Sequence, residues 1–415
     1  MMLLDKKKLL LINPVTKSSF WGNFHFPSLG LPLLAALTPD LYNVEIIDEA
    51  QKPISTFPYA DVVAISVLTA TANRAYVIGD HYMSLGIPVI MGGMHVSALP
   101  EEALHHCNTV IVGEGDDIWR EVLQDIESGN LKRLYNVKQR PTLQQSPIPR
   151  WDLIRKGNVR GTEIIYSVQA GRGCPNACNF CNVPEMFGKN YRKRIINDVI
   201  KEIELLNVNR FLLIDDNLLA DITYAKELLR NLAELKKEWF GLASLMHLEN
   251  DEILRLLEAA GCKYLFIGFE TTNDDNLNSV GKYVNRKKNY EEIVNKIQSH
   301  GIKIIGSFIV GLDYDDVSVF DSIYEFINKN KLYIPIVNIL TPYPGTKIYK
   351  QFEQENRMIS YDWNSYSCDE VVFIPNKMTV DELKNNHEIL AREILKLAKS
   401  NFVKTKKTGY GVYDF

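Results

Sequence analysis

Long apolar runs are missing from this chain of 415 residues: no stretch approaches the about 18 apolar residues that a membrane-spanning helix needs. An excess of positive charge is missing too. With 47 Lys and Arg against 51 Asp and Glu the net charge is -4, so no global basic field invites nucleic acid, and none is expected as a partner. No G-x-G-x-x-G follows the first apolar run, which argues against a nicotinamide-binding sheet. Lys6, Lys7 and Lys8 before Leu9-Leu10-Leu11-Ile12 imitate the start of a secretion signal, but Asn13-Pro14 cuts the apolar run short. A buried first strand in a cytoplasmic protein is expected instead. Cysteine is scarce, at six residues, and Cys107, Cys262 and Cys368 are scattered, which argues against a disulfide framework. Histidine is absent from residue 107 to residue 246, so a zinc site in that span lacks a nearby fourth ligand.

What is present is concentrated in one loop. In Gly171-Arg172-Gly173-Cys174-Pro175-Asn176-Ala177-Cys178-Asn179-Phe180-Cys181 three cysteines are spaced C-x3-C-x2-C. Cluster ligation normally takes four cysteines. Three thiolates on a short loop therefore suit three irons of a [4Fe–4S] cluster with the fourth left open, and an open iron can bind and reduce a small molecule. Zinc would have to recruit a distant ligand such as His247. Core cysteines would not stand on a Gly-, Pro- and Asn-rich loop with so few apolar neighbours. Cys174, Cys178 and Cys181 are the expected metal ligands.

At these residues the chain resembles the radical S-adenosylmethionine (SAM) superfamily, whose signature is this spacing with an aromatic residue just before the last cysteine, here Phe180. The resemblance implies that the open iron chelates the amino and carboxylate groups of SAM. One electron, from a donor such as flavodoxin or ferredoxin, then cleaves the sulfonium to methionine and a 5′-deoxyadenosyl radical. The surrounding sequence supports a repeated β/α pattern. Candidate strands at 164–169, 210–214, 240–245, 264–269, 303–310 and 334–340 alternate with amphipathic segments such as that of Val199, Ile203 and Leu206. Six units match the open (β/α)6 barrel that the resemblance implies, with chemistry at the carboxyl ends of the strands. With Phe180, those ends offer Asp216, Asn217, Ser244, Glu270, Ser307 and Thr341 as SAM-binding candidates. Asp215-Asp216-Asn217 departs from the G-G-E of many superfamily members and is similar to what cobalamin-dependent relatives carry. One of Asp215 and Asp216 is also expected to cap the next helix. Arg192 and Arg194 suit either the SAM carboxylate or a solvated helix start.

Upstream, residues 8–12, 44–47, 62–66, 88–91 and 109–112 read as strands, with helix-like segments at 31–37 and 72–85. A parallel, doubly wound sheet is expected, binding ligands at the carboxyl ends of its strands. Three loops follow such ends: Ser66-Val67-Leu68-Thr69, Gly92-Gly93-Met94-His95-Val96 and Val112-Gly113-Glu114-Gly115. Their order resembles the cobalamin-binding domain of many radical SAM enzymes. That implies a cobalamin surrounded by Ser66, Leu68, Thr69, Gly92, Gly93, His95, Val96, Glu114 and Gly115. The D-x-H-x-x-G motif whose histidine ligates cobalt is absent, and Asn23-Phe24-His25-Phe26-Pro27-Ser28-Leu29-Gly30 does not match it. Two readings stay open: cobalamin held without a protein histidine, and a sheet that has lost its cofactor. Taken singly, Gly92-Gly93 is a turn and His95 a helix-start residue.

The expected organisation is α/β: a Rossmann-like cobalamin-binding domain over 1–140, a Pro-containing linker over 141–160, a radical SAM core over 161–346, and a helical appendage with a tail over 347–415. Thr379 and Glu382 form a capping-box pattern, a loop holding Trp363, Tyr366 and Phe373 is expected over the barrel mouth, and 404–415 reads as a mobile end. With both cofactors bound, the implied reaction is methylation of an unactivated carbon in a small-molecule or lipid substrate. Two competing readings are radical chemistry without methyl transfer (cyclisation, oxidation, carbon–carbon coupling or aminocarboxypropyl transfer) and a non-catalytic cobalamin or cluster sensor.

Overall fold

The apolar run Leu9-Leu10-Leu11-Ile12 is fully buried. It forms the inner part of strand β1 (Lys7–Asn13), and a strand buried on both faces belongs inside a parallel sheet. The computed structural model describes residues 6–15, 24–154, 163–285 and 289–402, with side chains to Leu397. The chain divides into two units. One comprises Met1–Ser167, Glu185–Phe187 and Asp362–Asn364; the other comprises Val168–Pro184, Gly188–Tyr361 and Ser365–Phe415.

In the first unit β1 is joined by β2 (Tyr42–Asp48), β3 (Val62–Ser66), β4 (Val89–Gly92), β5 (Thr109–Val112) and β6 (Leu134–Asn136). Their order is β2-β1-β3-β4-β5-β6, and every pair is parallel. The connections include helices α1 (Gly30–Leu37), α2 (Ala72–Ser84) and α3 (Trp119–Glu127). Winding reverses at β1, which puts a topological switch between β1 and β3, where open α/β sheets hold ligands. Helix α3 and strand β6 are additions to the elements expected from sequence. Trp119, Val122 and Leu123 bury one face of α3, and Trp119 Nε1 donates to Thr38 Oγ1 at 2.9 Å.

The strand expected at 164–169 is two pieces. Glu163–Ile164 pairs in parallel with Phe24–His25, whereas Ser167–Val168 joins the second sheet. Before it, Leu143, Trp151 and Ile154 are buried, so the Pro-containing stretch packs as part of the fold; residues 155–162 lie outside the described ones. Asp362–Asn364 also counts with the first unit. Trp363 Nε1 donates to Glu102 Oε1 at 2.7 Å, and its ring stands edge-on to His95. Trp363 therefore packs within the first unit.

The second sheet contains β7 (Ser167–Val168), β8 (Arg210–Leu213), β9 (Glu238–Ala243), β10 (Cys262–Glu270), β11 (Lys303–Val310) and β12 (Ile334–Ile339), in strictly sequential order. The pairs from β8 to β12 are parallel. Between them run α4 (Ile196–Leu206), α5 (Ile222–Leu235), α6 (Asp251–Ala259), α7 (Asp274–Ser279), α8 (Tyr290–Ser299) and α9 (Ser318–Asn330), and after β12 comes α10 (Lys347–Gln354). Right-handed crossovers between sequential parallel strands put the helices on one face, the winding of a (β/α)6 partial barrel. The cap of α5 is Asp221, whose carboxylate accepts Tyr224 N at 3.0 Å. Neither Asp215 nor Asp216 caps it, and both are used elsewhere. Helix α11 (Val380–Phe402) begins with the expected capping box: Thr379 Oγ1 accepts Glu382 N at 3.1 Å, and Glu382 Oε2 accepts Thr379 N at 2.8 Å. Its Leu383, Leu390 and Ile394 join the barrel core, and His387 Nε2 meets Val337 O at 2.8 Å, covering the edge strand β12. The tail 404–415 lies outside the described residues. Among the described residues no helix is long and apolar enough to cross a membrane.

Candidate functional site

After β7 the chain forms a two-residue hairpin, Gly171–Arg172 against Arg192–Lys193, and the three cysteines stand in the loop it encloses. Two backbone features close that loop: Cys174 N donates to Gly188 O at 3.2 Å, and Gly173 adopts φ +96° where a Cβ would stand 2.5 Å from Asn190 O. The end of β8 fastens its base. Asp215 Oδ1 accepts Ala170 N at 2.7 Å, Asp215 Oδ2 accepts the Tyr191 hydroxyl, and Asp216 Oδ2 accepts Gly173 N at 2.8 Å. Burial raises the Asp215 carboxyl to about 6, against the Tyr191 and backbone donors. The acidic pair thus holds the cysteine loop in place.

All six cysteines are free thiols. Burial pushes the Cys174, Cys178 and Cys181 thiols up, Cys181 to about 12. The Lys282 ammonium opposes this at all three, and the Asn217 amide opposes it at Cys174. Asn217 is 1% exposed; its Oδ1 accepts Ser244 N at 3.1 Å, tying the ends of β8 and β9 together. Its Nδ2 is buried without a protein acceptor in hydrogen-bonding geometry. Among the described residues no three His, Cys, Asp or Glu side chains converge on a single ion, as a lone zinc requires; thiolates serving separate irons need not converge. The donor set fits a cluster: three free thiols on a fastened loop, beside the Asn217 amide and an ammonium.

Glu270 ends β10 in a left-handed conformation, φ +65°, and its Oε1 meets Lys282 Nζ at 2.7 Å. Gly268 makes room, since a Cβ there would stand 2.2 Å from that oxygen. Ser307, aligned with Gly268 on β11, is buried and lies 3.5 Å from Asn338 Nδ2. Thr341 donates to Ile339 O at 3.2 Å, and Phe180 packs against the barrel core. The candidates Asp216, Asn217, Ser244 and Glu270 thus stand at strand ends beside the cysteine loop or are bonded to groups that do. Arg194 does not: its NH1 meets Glu202 Oε2 at 2.6 Å and Gln169 O at 2.9 Å, a buried pair that joins the hairpin to α4. Lys282 escaped the sequence reading. The one local signal for it is the preceding Gly281.

In the first unit the three predicted loops leave the adjacent strands β3, β4 and β5 at the same end. Val67 N donates to Gly92 O at 2.8 Å and His95 N to Val67 O at 3.2 Å. Gly93 takes φ +117°, and a Cβ on it would stand 2.6 Å from Val67 O. The turn is therefore required by strand-to-strand packing alone. Ser66, Gly92, Gly93 and Gly115 are partly exposed and Leu68 is 52% exposed, whereas Thr69, His95, Val96 and Glu114 are buried. The His95 ring is enclosed by Tyr76, Thr69, Glu102 and Trp363. His25 is engaged as well: its Nε2 meets Asp48 Oδ2 at 2.7 Å, and both are buried.

The family model of the B12 binding domain matches residues 23–123, and that of the radical SAM superfamily matches residues 168–327. The bacteriochlorophyllide d C-12(1)-methyltransferase of Chlorobaculum tepidum is 34% identical over 94% of this chain and 88% of its own. The chain belongs to the cobalamin-dependent radical SAM methyltransferases. The bacteriochlorophyllide d C-8(2)-methyltransferase of the same organism is 31% identical, over 82% of this chain and 79% of its own. A solved radical SAM methyltransferase, TsrM from Kitasatospora setae with cobalamin and a [4Fe–4S] cluster bound, shares the fold. Its TM-score is 0.67 at 16% identity, covering 84% of this chain and 78% of that one. As a member of this family the protein is an enzyme, its cofactors are a [4Fe–4S] cluster, SAM and cobalamin, and it needs a reductant and a substrate.

Proposed function

We propose that the protein methylates an unactivated carbon of an apolar, ring-bearing small molecule or lipid, with Cys174, Cys178 and Cys181 holding the cluster. One joint observation carries this reading. A sheet with three neighbouring ligand loops and a fastened three-cysteine loop lie on one chain that is 34% identical, over 94% of its length, to a methyltransferase named for a bacteriochlorophyllide. When bound, the cluster and SAM supply a 5′-deoxyadenosyl radical and cobalamin supplies a methyl group drawn from SAM.

The chain's own task is to bind, orient and exclude water. Asn217, Ser244, Glu270, Ser307 and Thr341 offer polar atoms to SAM, Phe180 walls the cluster side, and Asp216 keeps the loop in register with them. Ser66, Leu68, Gly92, Gly93 and Gly115 form a low surface that a flat ring can approach closely. Thr69, His95, Val96 and Glu114 support that surface from within. His25, engaged by Asp48, would not be free to ligate cobalt, and the loops after the strands would hold the cofactor from one side. The reductant is a flavodoxin or ferredoxin, and a reducing cytoplasm suits the six free thiols.

The test uses anaerobically purified and reconstituted protein with hydroxocobalamin, SAM and reduced flavodoxin, offered bacteriochlorophyllide d and, separately, a polycyclic lipid. One of them should gain a methyl group, read by mass, and corrin should stay with the protein through desalting. Corrin lost on desalting, with SAM still cleaved, would contradict the methyl-transfer part alone.

A further inference from the structure

Lys282 is a buried cation, its side chain 10% exposed, and Glu270, 8% exposed, is its ion-pair partner. Taking two charges out of water is costly even when they meet, so such a pair is weak evidence for stability and invites a functional explanation. Several local features bring this ammonium to the cysteine loop. Gly281 takes φ +72°, and a Cβ on it would stand 3.2 Å from Ala177 O and 3.9 Å from Cys178 Cα, so the chain passes directly against the loop. Asn179 N donates to Val280 O at 3.0 Å, and Asn179 Nδ2 donates to Ser279 O at 3.1 Å. On the other side, Gly268 leaves space that a Cβ would take from the pair, 3.3 Å from Lys282 Nζ. Glu270 accepts a backbone conformation rare outside glycine to reach it. Once ionised, the Cys178 and Cys181 sulfurs would join Glu270 in favouring the charged form of Lys282.

We propose that Lys282 sets the reduction potential of the cluster, its fixed positive charge favouring the reduced state, with Glu270 as the counter-ion that holds the ammonium in place and limits its effect. This rests on the cluster reading of the three cysteines. Each thiolate adds a negative charge and the entering electron adds one more. A cation sharing the same low-dielectric enclosure therefore stabilises the reduced cluster more than the oxidised one. The step is electron transfer alone: one electron arrives from the external reductant, and no bond or proton changes hands at Lys282.

The experiment is a redox titration followed by electron paramagnetic resonance on the full chain, anaerobically reconstituted and without SAM. It compares wild type with Lys282→Met, Lys282→Arg and Glu270→Gln. Lys282→Met is expected to make reduction at least tenfold less favourable, a fall in midpoint of about 59 mV for a one-electron couple. Lys282→Arg should stay near wild type, and Glu270→Gln should move the midpoint upward. Iron and sulfide per chain are measured on the same samples. A wild type that holds no cluster defeats the reading beneath the proposal, whereas loaded variants with unmoved midpoints defeat the proposal alone. A shift seen only after SAM is added assigns Lys282 to SAM and also overturns it. Should Lys282→Met fail to fold or load, Glu270→Gln decides: a raised midpoint supports the proposal, and an unmoved or lowered one overturns it.

Discussion

Asp215 links three parts of the chain: the end of β8, the Ala170 N–H at the base of the cysteine loop, and the hydroxyl of Tyr191, just before the returning hairpin strand. Asp215→Ala leaves two buried donors without an acceptor, which should cost about 3 kcal/mol in unfolding free energy. Cluster loading should fall in the same variant, measured as iron per folded chain; a loss under 1 kcal/mol with full loading, on an about 1–3 kcal/mol scale per orphaned donor, would show that the loop stands without it. Asp315 gives a pH dependence. It accepts Gly311 N, Leu312 N and Asn276 Nδ2, yet burial outweighs these donors and pushes its carboxyl up to about 7. Between the ordinary value of 3.8 and about 7 the folded protein keeps a proton that the unfolded chain has released. Stability should therefore fall as pH rises through that window and level off above it, by up to about 4 kcal/mol. Asp315→Asn should flatten the slope in urea unfolding from about pH 4 to about pH 7, and slopes parallel to wild type would refute this. Asp215, raised to about 6, contributes with the same sign and is unaffected by that substitution.

The loop after β4 shows how an element can look functional and be structural at once. Gly93→Ala puts a Cβ 2.6 Å from Val67 O at φ +117°, so the loops after β3 and β4 must part. The variant should lose about 1–3 kcal/mol and retain less corrin on desalting, while iron per chain stays at the wild-type level. Corrin retained in full would remove that loop from the cobalamin surface. Element by element, legibility followed how local the causes are. Val62–Ser66, Thr109–Val112 and Lys303–Val310 could be read from sequence to the residue, because short runs rich in Val and Ile describe buried parallel strands. Leu134–Asn136 could not, with only Tyr135 buried in it, and the break inside 164–169 depends on two different sheets competing for one segment. At the site, the cysteines announced themselves by spacing. Lys282 did not, because its placement needs Gly268, Glu270 and Gly281 to converge through a β-strand, a helix and a turn. The capping role assigned to Asp215 or Asp216 failed for the same reason: the loop they fasten is 43 residues away from Asp216 in sequence.

For the molecule as a whole, strand order separates the two chemistries. The order β2-β1-β3-β4-β5-β6 contains a reversal and so a crevice, whereas the sequential order of the second sheet contains none and curls into a barrel whose strand ends face a common mouth. One chain thereby carries a surface for a corrin and an enclosure for radical formation. This division of labour is tested by product accounting in a single anaerobic reaction of wild-type protein with both cofactors, SAM, reductant and substrate. One SAM is consumed as methyl donor and another as radical source, so S-adenosylhomocysteine and 5′-deoxyadenosine should accumulate in equal amounts, matched by one added methyl per substrate. Accumulation of 5′-deoxyadenosine without S-adenosylhomocysteine, and with no methylated product, would show that the chain does not transfer a methyl group.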